Sequence, residues 1–175
     1  MQNYIDFAAK NGVTLPNKGR CQFCGADTQR GVHECLEIFN LGFQLNFSSP
    51  ENHLYRFLIV DAHALQHPEV HGRWSNHFHL SRLHLIFRYQ VHWTYELSPR
   101  LSDHLNRYKA SHPNEHLLPP EPLHRGSLTT SDIISYAADE IACKDKIHQW
   151  AKEAYDAWKA HHKVAHRIAH RFLGK

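Results

Sequence analysis

Three of the four cysteines of the chain lie in one short segment, together with a histidine. Cys21 and Cys24 are separated by two residues and followed by Gly25, which is the usual half-site of a tetrahedral zinc knuckle. His33 and Cys35 would complete a Cys-x2-Cys-x8-His-x-Cys pattern. Because four protein ligands leave no open coordination position, we expect a zinc ion here to be structural.

Two alternatives to a zinc knuckle follow from the same residues. Reduced cysteines on the surface would give the same spacing without binding a metal. A redox-active Cys-x2-Cys pair normally follows a strand of a βαβ pattern, and no strand precedes Cys21 in this sequence. The zinc interpretation is therefore favoured, with the second half-site less standard than the first.

A second set of residues that could bind a metal is distributed along the chain. Helical spacing directs Asp61 toward the core from a helix over 50–66, His79 from a helix over 74–92, and His162 from the last helix. His53 lies near the same face as Asp61, and His67 closes that helix. Imidazoles and one carboxylate suit a second divalent ion such as zinc, iron or manganese, and bundle interiors commonly hold such sites.

The same inward positions have simpler interpretations. A buried carboxylate needs a partner, and Asp61 could find one in a histidine or a backbone amide. The chain has 18 histidines among 175 residues, so some reach inner faces by chance. A structural hydrogen-bond network is thus nearly as well supported as a metal site.

The C-terminal helix carries a basic surface. Its members are His161, Lys163, His166, Arg167, His170, Arg171 and Lys175. Such a surface could contact phosphate or nucleic acid, but a helix face that is simply solvated is the favoured interpretation.

The elements that must position these residues are helices. A short helix in residues 1–20 ends at Asn11-Gly12, and later helices are predicted over 34–47, 50–66, 74–92, 99–110 and 139–172. Ser48-Ser49-Pro50-Glu51 is a helix start signal, and His67-Pro68 should end the helix over 50–66. Thr129 to Asp132 reads as a capped start. A helix over 139–172 is long for such a bundle, so a break near 137–140 or a free last turn is expected.

The fold class that follows is all-α, a single helical bundle of about four to six helices with a small N-terminal zinc-knuckle-like segment. We expect one domain over 1–175: the N-terminal helix and Cys-rich knuckle (1–35), the bundle (36–110 and 129–172) and a Pro-rich connection (111–128). Hydrophobic residues make up 42% and charged residues 21%, which argues against a disordered chain. No stretch is apolar enough to span a membrane, and no secretory signal begins the chain, so a cytoplasmic location is expected.

Several short segments of the sequence resemble those of a bacterial family called domain of unknown function 5946. The segments are Cys-x2-Cys-Gly, VDAHALQHPEV at 60–70, His79-Leu80, LPPEPLHRGSLTTSDI at 118–133, and Trp150, Trp158 and His162 in W-x7-W-x3-H. The resemblance runs over about 21–170 and implies one helical domain with a leading cysteine pair. The positions it matches are Cys21, Cys24, Cys35, His53, Asp61, Gln66, His67, His79, Trp158 and His162. The segment between Cys24 and Cys35 is shorter than in the family, which leaves the fourth zinc ligand open, and the family brings no known reaction.

Three functions remain for a metal-binding helical bundle. The first is a metal-dependent hydrolase or transferase that acts on a small-molecule substrate through the Asp/His site. The second is a non-catalytic zinc-knuckle module that binds a protein partner or, less favoured, nucleic acid. The third is a metal or pH sensor that uses the histidines, whose ordinary pKa near 6.5 makes the net charge of +3 rise as pH falls.

Overall fold

A computed structural model of the chain describes residues 2–43 and 52–174, except for the side chain of Phe43. Over these residues the chain forms eight α-helices and no β-strand, so the all-α fold class is confirmed. The helices are α1 (Gln2–Lys10), α2 (Val32–Phe43), α3 (His53–Gln66), α4 (Arg73–Tyr89), α5 (Leu97–Ser111), α6 (Thr130–Ser135), α7 (Glu140–Ala157) and α8 (His162–Phe172). None of them is long and apolar enough to cross a membrane.

Local signals account for several of the observed helix ends. The helix α3 ends at Gln66, as His67-Pro68 predicted, because the residue before a proline is pushed out of helical geometry. The helix α6 begins with a capping box, in which Asp132 accepts hydrogen bonds from the backbone and the hydroxyl group of Thr129. The end of the helix predicted over 34–47 and the start signal at 48–51 lie outside the described residues.

The predicted continuous helix over 139–172 is wrong, because a 3-10 turn interrupts it. Asp139 caps the start of α7 by accepting hydrogen bonds from the N–H groups of Ile141 and Ala142, so the expected break near 137–140 is present. A second break, a 3-10 turn over Lys159–His161, separates α7 from α8. At this break the buried indole of Trp158 donates a hydrogen bond of 3.0 Å to the carbonyl of Leu65. This tertiary contact ties the break to α3.

Two groups of buried apolar residues organise the molecule. The larger core lies where α3 packs against α7 and α4, and where α4 packs against α8. The smaller one joins Ala8 of α1 to the cysteine-rich segment and to Val70, in the 3-10 turn that follows α3. The cysteine-rich segment is therefore packed against both α1 and the end of α3.

Candidate metal centre

The segment that carries the first two cysteines folds as a tight turn. The backbone N–H of Gly25 donates to the carbonyl of Cys21 (2.9 Å), and that of Cys21 donates to the carbonyl of Ala26 (3.0 Å). Gly25 has a φ of +79°, a conformation that glycine adopts readily. Cys35 lies in the first turn of α2. The turn and the helix together bring three buried thiols, those of Cys21, Cys24 and Cys35, to one point.

The fourth group at this point is His67, from the C-terminal end of α3. Its Nε2 lies 3.4 Å from the Sγ of Cys21 and 3.5 Å from the Sγ of Cys35, and its side chain is completely buried. Its Nδ1 lies 2.7 Å from the carbonyl oxygen of His63. Because a carbonyl only accepts, Nδ1 carries the hydrogen and Nε2 faces the thiols. A backbone carbonyl fixes many metal-binding histidines in this way.

Three of the distances between donor atoms match the edges of a tetrahedron around an ion of the size of zinc. Bonds of about 2.3 Å to sulfur and about 2.0 Å to nitrogen, at tetrahedral angles, place two sulfurs about 3.8 Å apart and sulfur and nitrogen about 3.5 Å apart. The Sγ atoms of Cys24 and Cys35 are 3.7 Å apart, and the two sulfur–nitrogen distances are 3.4 and 3.5 Å. All four donor atoms lie within 4.8 Å of one another. This Cys3His group could hold a metal ion.

The electrostatics of the group shift the pKa values of two thiols and of the imidazole. Contacts with Cys24 and Cys35 lower the pKa of the Cys21 thiol, although burial opposes this. Contacts with Cys21 and Cys24 raise the pKa of Cys35, and burial adds to this effect. Burial acts to lower the pKa of His67, but the charge of Cys24 and the hydrogen bond to Cys21 outweigh it and raise that pKa. Four soft or borderline donors in one buried place are typical of a site for zinc or another thiophilic metal.

The predicted ligand His33 is not part of this group. His33 lies in the first turn of α2, two residues before Cys35, and its side chain is half-buried. The structure brings His67 to the thiols instead, from 32 residues further along the chain than Cys35. Sequence spacing alone favoured the nearer histidine, whereas the packing of α3 against the cysteine segment selects the distant one.

The predicted metal site between the helices does not assemble around Asp61. Its carboxylate is completely buried and accepts two hydrogen bonds from Arg82, of 2.6 and 2.8 Å. The Nδ1–H of His79 donates a third, of 2.6 Å, to the same carboxylate. The buried charge is therefore compensated by a guanidinium and an imidazole, which is the hydrogen-bond network that the sequence offered as its alternative.

The other predicted ligands of that site lie elsewhere. His162 donates from Nε2 to the carbonyl of Tyr155 (2.9 Å), and the two rings stack at 4.0 Å. The rings of His53 and Tyr95 meet edge to face, with their centres 4.7 Å apart. Over the described residues, the Cys3His group is the one set of three or more potential ligands close enough to share an ion.

The Pro-rich connection between α5 and α6 lies against the cysteine turn of the Cys3His group. The backbone N–H of Leu123 donates to the carbonyl of Phe23 (2.9 Å), between the two cysteines of the turn. Leu123 has a φ of +67°, which is rare for a bulky side chain. Nearby, the buried side chain of Arg125 forms two hydrogen bonds to Glu69 (2.6 and 2.8 Å) and one to the carbonyl of Gln66 (3.0 Å). These bonds hold the connection against the end of α3, beside His67.

One protein-family model matches most of the chain. The model of a family of unknown function, DUF5946, matches residues 19–159. The chain belongs to this family. The matched range includes all four members of the Cys3His group of this DUF5946 protein, as well as Asp61, His79 and Arg82. No curated protein and no solved structure matches the chain.

Sequence reasoning missed three residues that build these sites in the DUF5946 chain. Arg82 is one turn after His79 on α4, and a buried carboxylate on the neighbouring helix was a signal that a cation was needed. His63 supplies the carbonyl that orients His67, and its own ring lies between those of His67 (4.0 Å) and Phe39 (4.1 Å). Arg125 gave no local signal, because its role depends on how the connection folds back.

Proposed function

We propose that this chain is a zinc-binding helical protein in which Cys21, Cys24, Cys35 and His67 hold one structural Zn2+. The observation that carries the proposal is the agreement of three donor distances, 3.4, 3.5 and 3.7 Å, with the edges of a zinc-centred tetrahedron. Zinc would fasten the N-terminal cysteine turn and α2 to the end of α3. The metal would thereby link the smaller apolar cluster to the bundle.

The closed ligand set favours a binding module over a metal-dependent enzyme. A catalytic zinc keeps a position open for water or substrate, whereas four protein ligands fill a tetrahedral ion. A hydrolase or transferase that used Asp61 would need its oxygens free, and Arg82 and His79 occupy them. We therefore propose a non-catalytic role for the metal, with the helical surface as the part of the protein that meets a ligand.

Metal analysis of purified protein tests the proposal directly. Untagged wild-type protein is expected to contain one zinc per chain, measured by inductively coupled plasma mass spectrometry. Cys21→Ser and His67→Ala should each lose most of this zinc, because removing one of four ligands opens the site. Cobalt-substituted wild-type protein should show the absorption of tetrahedral thiolate-bound Co2+.

Two control variants make the assignment of the fourth ligand specific. His33→Ala removes the histidine next to Cys35 and should retain one zinc per chain. Cys143→Ser removes a buried thiol at another place in the fold and should also retain it. Loss of zinc in His33→Ala with retention in His67→Ala would overturn the proposed ligand set, and a zinc-free wild type would overturn the function.

A further inference from the structure

Two helices remote from the cysteine segment in sequence line a cavity that is open to solvent and has basic walls. The cavity has a volume of about 270 Å³ and is lined by Arg100, Asp103, His104 and Arg107 of α5 and by Arg171 and Phe172 of α8. Arg100, His104 and Arg107 are four and three residues apart, so they share one face of α5. The packing of α8 on α5 adds a third guanidinium to that face.

The charge of this cavity is not balanced by the residues that the structure describes. Over residues 2–43 and 52–174, none of the three arginines is within ion-pairing distance of a carboxylate. Asp103 is the one acidic residue of the lining, which leaves about two positive charges in excess. Arg167, one turn before Arg171 on α8, differs in this respect because Glu115 and the hydroxyl group of Tyr108 hold it.

His104 is the imidazole of this lining. Its Nε2 is buried and has no hydrogen-bond partner in the part of the chain that the structure describes. Burial lowers the pKa of His104, and the positive charges of Arg107 and Arg171 lower it further. A hydrogen bond to the backbone carbonyl of Ile168 acts in the opposite direction and raises this pKa. An anion in the cavity would oppose the effect of the two arginines on the pKa of His104.

We propose that this cavity binds the phosphoryl group of a small phosphorylated molecule. Guanidinium groups match the paired oxygens of a phosphate, and a phosphate dianion would neutralise the excess of two charges. The volume equals that of roughly nine water molecules at about 30 Å³ each, which accommodates a phosphoryl group and several attached atoms. The ring of Phe172 lines the cavity, with the Arg100 guanidinium 5.9 Å from its centre, and provides a surface for an apolar part of the ligand.

Calorimetric titration with pyrophosphate, at constant ionic strength, tests this site in the zinc-loaded full chain. Saturable binding to wild type is expected, with a Kd below about 1 mM. Arg107→Gln and Arg171→Gln should each raise the Kd about tenfold or more, since a charged hydrogen bond contributes that much. Lys163→Gln removes one charge from an exposed position of α8 outside the cavity and should change the Kd less than about twofold. Both arginine side chains are exposed, so these variants should melt like wild type.

A second readout follows His104 by NMR. Pyrophosphate should raise the pKa of its imidazole in wild type and not in the double variant Arg107→Gln/Arg171→Gln. Three outcomes would overturn the proposal: no saturable binding of pyrophosphate, equal weakening by Lys163→Gln, or equally tight binding of citrate. Tight binding of a single-stranded oligonucleotide that pyrophosphate does not displace would also overturn it, in favour of a nucleic-acid surface.

Discussion

Replacing Arg82 by methionine should destabilise the protein strongly, because it removes the main partner of a buried charge. Arg82 is almost completely buried, and its guanidinium forms two hydrogen bonds with Asp61. It also lies 4.9 Å from the ring centres of Phe57 and Phe78. After the substitution, the N–H of His79 would be the remaining donor to that carboxylate.

The expected magnitude follows from these contacts. Breaking a buried ion pair by removing one partner costs about 3–5 kcal/mol, and each cation–π contact contributes about 0.5–2 kcal/mol. Part of this is regained, because methionine fills the space and remains in contact with the aromatic rings. We therefore expect Arg82→Met to lower the free energy of unfolding by about 3–5 kcal/mol. Arg82→Lys keeps the charge but loses the paired hydrogen bonds, so it should cost about half as much.

Urea denaturation with double-mutant cycles separates this pair from other candidates. Zinc should be saturating throughout, so that the metal centre contributes equally to every variant. Asp61→Asn and Arg82→Met should show a coupling of about 1–3 kcal/mol, as residues in direct contact do. Asp61→Asn and His162→Ala should be additive within about 0.5 kcal/mol, because His162 bonds to the carbonyl of Tyr155 instead.

Two results would refute this reasoning. A coupling of Asp61 with His162 larger than its coupling with Arg82 would mean that the carboxylate faces the last helix and that a shared site between them exists. An Arg82→Met protein as stable as wild type would also refute it, since it would show that Asp61 needs no cation.

Three other predictions concern the metal, the acid range and the knuckle. In scanning calorimetry, a chelator should lower the Tm of the wild-type protein but scarcely change that of His67→Ala. Equal effects on the two proteins would contradict His67 as a ligand. Burial lowers the pKa of His77 and of His84 to about 4, so between about pH 6.5 and pH 4 these histidines bind protons in the unfolded chain but not in the folded one. The free energy of unfolding should therefore be highest above about pH 6.5. It should fall by up to about 1.4 kcal/mol per pH unit for each histidine as the pH drops to about 4. The slope should be shallower in His84→Gln, and an unchanged slope would contradict the assignment. Gly31→Ala should cost about 1–3 kcal/mol in urea denaturation, since its φ is +59° and a Cβ would lie 2.7 Å from the carbonyl oxygen of Pro16; a cost below about 0.5 kcal/mol would contradict the strain.

Local patterns in the sequence were enough to predict most of the helices and three of the four members of the Cys3His group. Apolar spacing predicted that Asp61 is buried, and Asp61 is completely buried. The pair His67-Pro68 predicted where α3 ends, and Thr129 with Asp132 predicted the start of α6. These features depend on residues within one or two turns of each other, where the sequence and the geometry are directly related.

The partners of these residues were decided by tertiary packing. The spacing of the cysteines favoured His33, whereas the presence of His67 at the thiols depends on where the end of α3 docks. Likewise, the burial of Asp61 predicted a need for a partner, but only the packing of α4 on α3 shows that Arg82 and His79 fill it. The sequence by itself therefore determined that Asp61 turns inward, since that follows from helical periodicity, but it did not determine the burial of Arg82 or His63. Which side chains meet was decided by the tertiary structure, because contacts between residues distant in the chain depend on how whole helices pack.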